Sequence, residues 1–460
     1  MKKEISDVNR KAINELLGAL ENTINTVPII AKNVFNFKGR KSIDIAEKAI
    51  KILTKENALI YDPFMGAGSF VIAAVKANRK IEATEIDNYT FDVVKTLFTK
   101  IDYNKLKINF EKVSNEEKEN VMELYKTECC GNQNYISKLL YDPENNEYFN
   151  PRGNREIIDG NNVKLVYNCV SCGKRQTNFK QLDFDRLNSI TKDEILDFPN
   201  EKYIENSRIN ITASTGADYY DRIFTNRNKK ALLLIQQAIL KLEDSIERDV
   251  LEHALVSSLS LSRIAMYGSS TDILYHVVPY SAQECNVWML FESKVEKFIE
   301  FKKDYAIMQE TNPENNEKYK ILNISYQDYV SEVGNKLYDM IYTDFPYTDQ
   351  VPYLERNQLY RIWLNKFYKK GYYSLTDTML KDEIVQTNSP ERKTKQSLDN
   401  YYKDIDLMFQ KFNNILKDNG LLVLTMKLGK NKYFKTLIEI INIARKNGFE
   451  YDVRIGIDHD

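Results

Sequence analysis

The chain has 460 residues, more than one ordinary domain needs, so two or three domains are the starting expectation. Hydrophobic residues make up 43% of it, which excludes a wholly disordered chain, and no apolar run approaches the ~18 residues of a membrane span. The net charge of −1 carries no global basic signature; this weighs against a pure nucleic-acid coat, not against an enzyme with a local basic cleft.

The first twenty residues are charged and helix-periodic, without the apolar block and cleavage site of a signal peptide, so a soluble, cytoplasmic protein with no membrane partner is expected. Residues 57–78, "NALIYDPFMGAGSFVIAAVKAN", hold the strand "ALIY", a turn with two glycines and an Ala-rich helix. A second strand at 80–87 ends in acids, and a helix follows at 88–101. This β-α-β-α order predicts a parallel sheet with right-handed crossovers. The pattern breaks at 104–205, which is polar, rich in Asn and Lys, and contains paired cysteines. Residues 229–267 carry a helical periodicity long enough for two helices. Alternation resumes with strands at 320–326 and 337–344 around a short helix, then a helix at 354–368 and a charged loop at 375–400. A helix at 401–418, a strand at 420–428 and a helix at 433–448 follow. The later strands have the character of the first two. The expected organisation is therefore one α/β domain, residues 1–103 and 319–460, split by an insertion of about 215 residues at 104–318.

Gly66 and Gly68 close the first strand and open a helix, where a ligand can approach the backbone and free N–H groups are presented. No Gly-Lys-Ser/Thr follows, and Val71 stands where a full dinucleotide fingerprint has its third glycine. Alone, such a turn is as well read as plain strand-helix punctuation. Glu85, 17 residues after Gly68 at the second strand's tip, is placed to grip ribose hydroxyls and favours a nucleoside-bearing cofactor. Asp344, Phe345, Pro346 and Tyr347 follow another strand. An acid, a proline and two aromatics make poor core, and a structural turn is the alternative.

"DPFMGAGSF" at 62–70 resembles the S-adenosylmethionine motif of amino-group DNA methyltransferases, and "DFPY" at 344–347 resembles their catalytic tetrad. "NVFNFKGRKS" is similar to the loop that closes over the cofactor's methionine end. Together with "TDQVPYLE", the string at 383–404 and the cysteine insert, this resembles the adenine-specific DNA methylases that contain a zinc ribbon. The resemblance implies a Rossmann-like methyltransferase sheet that moves a methyl group from S-adenosylmethionine to N6 of an adenine flipped out of double-stranded DNA. It also implies a restriction-modification or phage-defence setting with a nuclease or other subunit as partner. It puts the cofactor against Phe37, Lys38, Asp62, Pro63, Phe64, Gly66, Gly68, Ser69, Glu85 and Ile86, with Asp328 near the adenine. The Asp344 carboxylate and the Phe345 carbonyl would accept the amine protons, Pro346 would stiffen the turn and Tyr347 would stack on the base. Phe345 departs from the family's usual proline. N4-cytosine, RNA or protein-glutamine methylation, and a non-enzymatic nucleic-acid-binding subunit, are the competing readings. A sheet of this kind ends in a two-strand hairpin, for which residues 449–460 leave room for one strand and part of another, so truncation or completion by a partner is expected.

Cys169-x-x-Cys172-Gly173 has the form of a zinc knuckle within a ribbon-like segment at about 121–180. Its partner half has Cys129 and Cys130 adjacent, with Thr127 where a first cysteine would stand. Adjacent cysteines are poorly shaped to share one metal. A structural zinc with Cys129 as substitute ligand and a metal-free degenerate ribbon both remain open. Cys285 and His253 read as packing residues. By analogy the insertion reads the DNA target, and the basic residues of 224–233 and 389–396 are candidates for phosphate contact.

Overall fold

The structure is a computed structural model. It describes residues 6–21, 23, 26–37, 39–141, 163–169, 171–173, 176–178, 181–204, 219–266, 282–346, 351–426 and 431–451. The expected end of the sheet after 451, Lys38 and Tyr347 lie outside the described residues.

In chain order the strands are β1 (Leu59–Asp62), β2 (Lys80–Thr84), β3 (Lys126–Cys129), β4 (Asn132–Tyr135), β5 (Lys138–Tyr141), β6 (Val163–Val166), β7 (Gln176–Asn178), β8 (Ala265–Met266), β9 (Ala282–Cys285), β10 (Tyr319–Leu322), β11 (Tyr338–Thr343) and β12 (Leu416–Leu424). Five of them form one parallel sheet in the order β10-β2-β1-β11-β12. Ile60 pairs with Ile81 on one side and Met340 on the other. This is the expected Rossmann-like sheet, and many residues separate β2 from β10 along the chain. They form a β3–β4 hairpin, the sheet β7-β6-β5-β9-β8 and several helices.

Alternation along each strand sends neighbours to opposite faces. Ile60, Met340 and Tyr342 enter a core that also holds Leu251 and Leu255 of the helix Ile246–Ser262 and Trp288 and Phe291 of the helix Val287–Asp304. Tyr61 and Ile341 enter the other core, with Tyr326, Met408, Phe412 and Ile440. The insertion helices thus share a core with the sheet. The order of strands reverses between β1 and β11, since β2 and β10 lie on one side and β12 on the other. In such a sheet ligands bind at the carboxyl ends of the strands beside that reversal. No helix among the described residues is long and apolar enough to cross a membrane.

Two elements near the carboxyl ends of the strands differ from expectation. The single helix at 354–368 is two, Tyr353–Arg356 and Gln358–Phe367, broken at Asn357, whose amide donates to Asp87 Oδ2 at 2.6 Å and Thr90 Oγ1 at 3.2 Å. The charged loop at 375–400 contains a helix, Asp377–Asp382, and folds over a buried ion network. Arg392 Nη1 lies 3.0 Å from Glu355 Oε1 and 2.6 Å from Glu383 Oε2, and its Nη2 donates to the Leu380 carbonyl. Lys395 is buried and paired with Asp404. These two cations are therefore not available to phosphate, while Lys393 of the same run is exposed. Arg392→Ala should leave two buried carboxylates uncompensated and cost about 3–5 kcal/mol, read from urea unfolding midpoints. A loss below about 1 kcal/mol would mean the network is hydrated.

Candidate active site

The first turn of the site is dictated by glycine. Gly66 and Gly68 both have left-handed backbones, with φ of +51° and +74°. A Cβ on Gly66 would stand 2.8 Å from the Phe37 ring, and one on Gly68 2.9 Å from the Phe98 ring. The second contact seats the glycine turn against the helix Asn88–Phe98. The turn is held by the next strand: Met65 N–H donates to the Thr84 carbonyl at 2.9 Å, and Gly66 N–H to Glu85 Oε2 at 2.9 Å. Glu85 Oε1 accepts from Asp87 N–H at 2.9 Å, so both carboxylate oxygens are committed to backbone donors. Asp87 itself is fixed by Arg361 at 2.8 Å.

Three carboxylates converge here from three strand ends: Asp62 from β1, Glu85 beyond β2 and Asp344 beyond β11. Asp62 Oδ1 accepts from Phe64 N–H and from the Thr343 hydroxyl at 2.8 Å, while its buried Oδ2 has no partner among the described residues. Burial pushes Asp62 up to about 7, helped by Asp344. Burial, then the neighbouring Asp87, pushes Glu85 up to about 8. Asp344 is raised by burial, which Lys41 and Thr425 partly offset. Its Oδ2 lies 3.0 Å from Lys41 Nζ, and its Oδ1 accepts from the Thr425 hydroxyl at 2.7 Å. Tyr401 donates to the Pro346 carbonyl at 3.0 Å, anchoring the turn from the helix Leu398–Ile415.

Phe37, Pro63, Phe64, Gly66, Ser69, Glu85, Ile86, Asp344, Phe345 and Pro346 all line one cavity with about 1040 Å³ of empty space, part of it open to solvent. Asp62 and Gly68 belong to the same turn but not to its wall. The Phe345 side chain is buried in the core with Tyr401 and Met408. Asp328 departs from expectation. Ser325 caps the helix Tyr326–Glu332, its hydroxyl accepting from the Asp328 N–H at 3.1 Å, and this turn leaves Asp328 exposed while Ser325, Tyr326 and Gln327 line the cavity. Residues that the sequence did not mark are Arg40, Lys41, Tyr353 and Glu383 in the wall and Thr425 and Tyr401 behind it. Tyr353 stacks on Phe37 at 5.0 Å, and Arg40 sits over the Phe35 ring. The strings "NVFNFKGRKS", "TDQVPYLE" and 383–404, singled out only by resemblance, contain Arg40, Lys41, Tyr353, Glu383 and Tyr401.

The four clustered cysteines come together elsewhere. All four sulfurs lie within 4.8 Å of one another, with Cys129 Sγ 3.7 Å from Cys130 Sγ and 3.6 Å from Cys172 Sγ. Tetrahedral zinc with ~2.3 Å bonds needs sulfurs about 3.8 Å apart, so the donor set fits. The expected misfit of adjacent cysteines is relieved by a left-handed backbone at Cys130, φ +54°, followed by Gly131 at +72°. Thr127 stays buried in the β3–β4 hairpin and Cys129 takes the fourth position. The Cys169 thiol is pushed down to about 7 by backbone N–H donors from Cys172 and Ser171. The protein is expected to bind about one zinc per chain by elemental analysis, and Cys169→Ser to lose it and melt several degrees lower. Metal-free protein with an unchanged melting temperature would refute a structural metal. Cys285 and His253 are buried, as packing residues should be. Of the basic residues of 224–233, Arg227 is buried against Glu284 at 2.7 Å and Lys229 is mostly buried against Asp221 at 3.1 Å, while Lys230 pairs with Glu194 at the part-exposed surface.

Residues 3–96 match the family model described as DNA methylase, of the N6-adenine/N4-cytosine type. The chain matches no curated protein and no solved structure at a significant level. The matched segment ends before Asp344 but carries the strap with Phe37, the glycine turn and Glu85. It supports a DNA methyltransferase acting on an exocyclic amine, and such a family implies S-adenosylmethionine as the methyl donor and DNA as the substrate.

Proposed function

We propose that the protein methylates N6 of adenine in DNA, with S-adenosylmethionine as donor. The observation that carries this reading is that Glu85 and Asp344 line one cavity beside the glycine turn, with the buried Asp62 carboxylate directly behind its wall. A cavity rich in carboxylates suits a cationic ligand, and the unpartnered Asp62 Oδ2 calls for a donor such as an ammonium. Arg40, pushed down to about 9 by burial, suits the carboxylate of the same amino acid moiety. Glu85 would hold ribose hydroxyls, and Ile86 with Ser325, Tyr326 and Gln327 the adenine. When bound, the cofactor supplies an electrophilic methyl on a sulfonium. The protein's part is positioning. Asp344 accepts a hydrogen bond from the target amine and orients its lone pair; Thr425 fixes that carboxylate and Tyr401 fixes the turn. The base has to leave the helix to reach Asp344 in this cavity.

The same reading assigns 1–103 and 319–460 to the methyltransferase domain and 104–318, with its zinc-ribbon-like segment, to target recognition. What supports adenine over cytosine, and a restriction-modification or defence setting, is the resemblance. The test is incubation with methyl-labelled cofactor and unmethylated DNA, with RNA in parallel, followed by nucleoside analysis. N6-methyl-2′-deoxyadenosine from the DNA, and no label in the RNA, is expected. N4-methylcytosine or label in RNA would replace the adenine reading, and no cofactor binding would remove the enzyme.

A further inference from the structure

Asp344 is fully engaged in the free protein, and one of its partners stands in the way of the reaction. Thr425 belongs to the scaffold: it follows β12, and its N–H donates to the Thr343 carbonyl at 3.0 Å. Lys41 does not. It follows Gly39, which is left-handed at φ +87°, in the strap between the helices Ile29–Val34 and Ile43–Leu53, and its side chain remains 28% exposed. Part-exposed ion pairs are weak and exchange readily. Asp62 and Tyr342 also face Asp344, and among the described residues Lys41 is the cation paired with it.

An ammonium at that place opposes amine methylation in two ways. It occupies a carboxylate oxygen that the amine protons need. It also repels the positive charge that moves onto the amine as the methyl group arrives. A nucleotide reaching Asp344 brings its own phosphates, the strongest available partner for a displaced ammonium. Resting on the methyltransferase reading, we propose that Lys41 is a transferable counter-ion, which occupies the Asp344 carboxylate in the free protein and passes to a phosphate of the DNA strand when the target base enters. Lys41 then both screens the cavity's acids from each other before binding and gives the strap a direct hold on substrate.

A cycle of variants in the full-length protein tests this on binding, without reference to turnover. Anisotropy of a short labelled duplex is followed against salt for wild type, Lys41→Met, Asp344→Ala and the double variant, with melting curves as a check on folding. Lys41→Met should weaken binding about fivefold and reduce the salt slope by about one, and Lys41→Arg should restore both. Asp344→Ala, by freeing Lys41, should tighten binding about threefold, and this gain should vanish in the double variant. An unchanged salt slope in Lys41→Met, or a gain from Asp344→Ala that persists without Lys41, would overturn the hand-off. Absence of methyl transfer by the wild-type protein would overturn the methyltransferase reading instead, and leaves the binding cycle readable on its own.

Discussion

Asp344→Ala is expected to lower single-turnover methyl transfer by about 10³-fold while cofactor affinity changes only several-fold. The neutral exocyclic amine is a poor nucleophile because its lone pair is delocalised into the ring. A fixed acceptor at the amine restores direction to that lone pair, and the effect is large because the acceptor is held before substrate arrives. Asp344 is so held: Thr425 fixes Oδ1, the buried Phe345 side chain anchors the next residue and Tyr401 ties down the Pro346 carbonyl. Cofactor binding is less sensitive, because Glu85, the glycine turn and the strap are separate supports. Thr425→Val keeps the acid but loosens it, so a loss of about tenfold is expected there. Rapid-quench transfer with saturating cofactor measures both variants. Asp344→Ala activity within tenfold of wild type would remove this carboxylate from the chemistry and with it the proposed role of the turn.

The parts of the site legible in the sequence share one property: they are strand-end residues within a local pattern. Asp62, Gly66, Gly68 and Glu85 lie within one β-α-β unit, and Asp344 directly follows an apolar strand. Thr425 and Tyr401 reach the same turn from 81 and 55 residues away, and no local pattern announces that contact. The long helix Tyr103–Glu123 was hidden for a different reason. Its inward residues Leu106, Val113 and Val121 are spread thinly among charged ones, and its burial depends on neighbours that the insertion supplies. Charge misled in the opposite direction at Arg227 and Arg392, because the basic runs read as candidates for phosphate contact while both guanidinium groups are buried against glutamates. At Cys130 the missing information was a single backbone angle.

The electrostatics of the cavity lead to the second large effect, a pH-dependent preference for the cationic cofactor over its neutral thioether product. Asp62 and Glu85 are pushed up to about 7 and about 8, so near pH 6 both are largely protonated and near pH 9 largely ionised. Because their folded values exceed the ordinary carboxylate range of about 4, their ionisation opposes folding. The stability present below that range is lost as pH rises through about 7 and 8. A sulfonium keeps its charge throughout this window and offsets the repulsion among Asp62, Glu85, Asp87 and Asp344 as it develops. S-adenosylhomocysteine has the same amino and carboxyl groups without that charge, so their own titration cancels in the comparison. The ratio of affinities, donor over product, should therefore rise by about tenfold between pH 6 and pH 8.5, measured by calorimetry. The thermal shift given by the donor should grow over the same interval, while the unliganded protein melts progressively lower. Glu85→Gln should flatten the upper part of the rise, since it removes the group that titrates last. A ratio independent of pH in the wild-type protein would mean that the sulfonium sits outside the field of these acids, and the orientation assigned to the cofactor would have to be reversed.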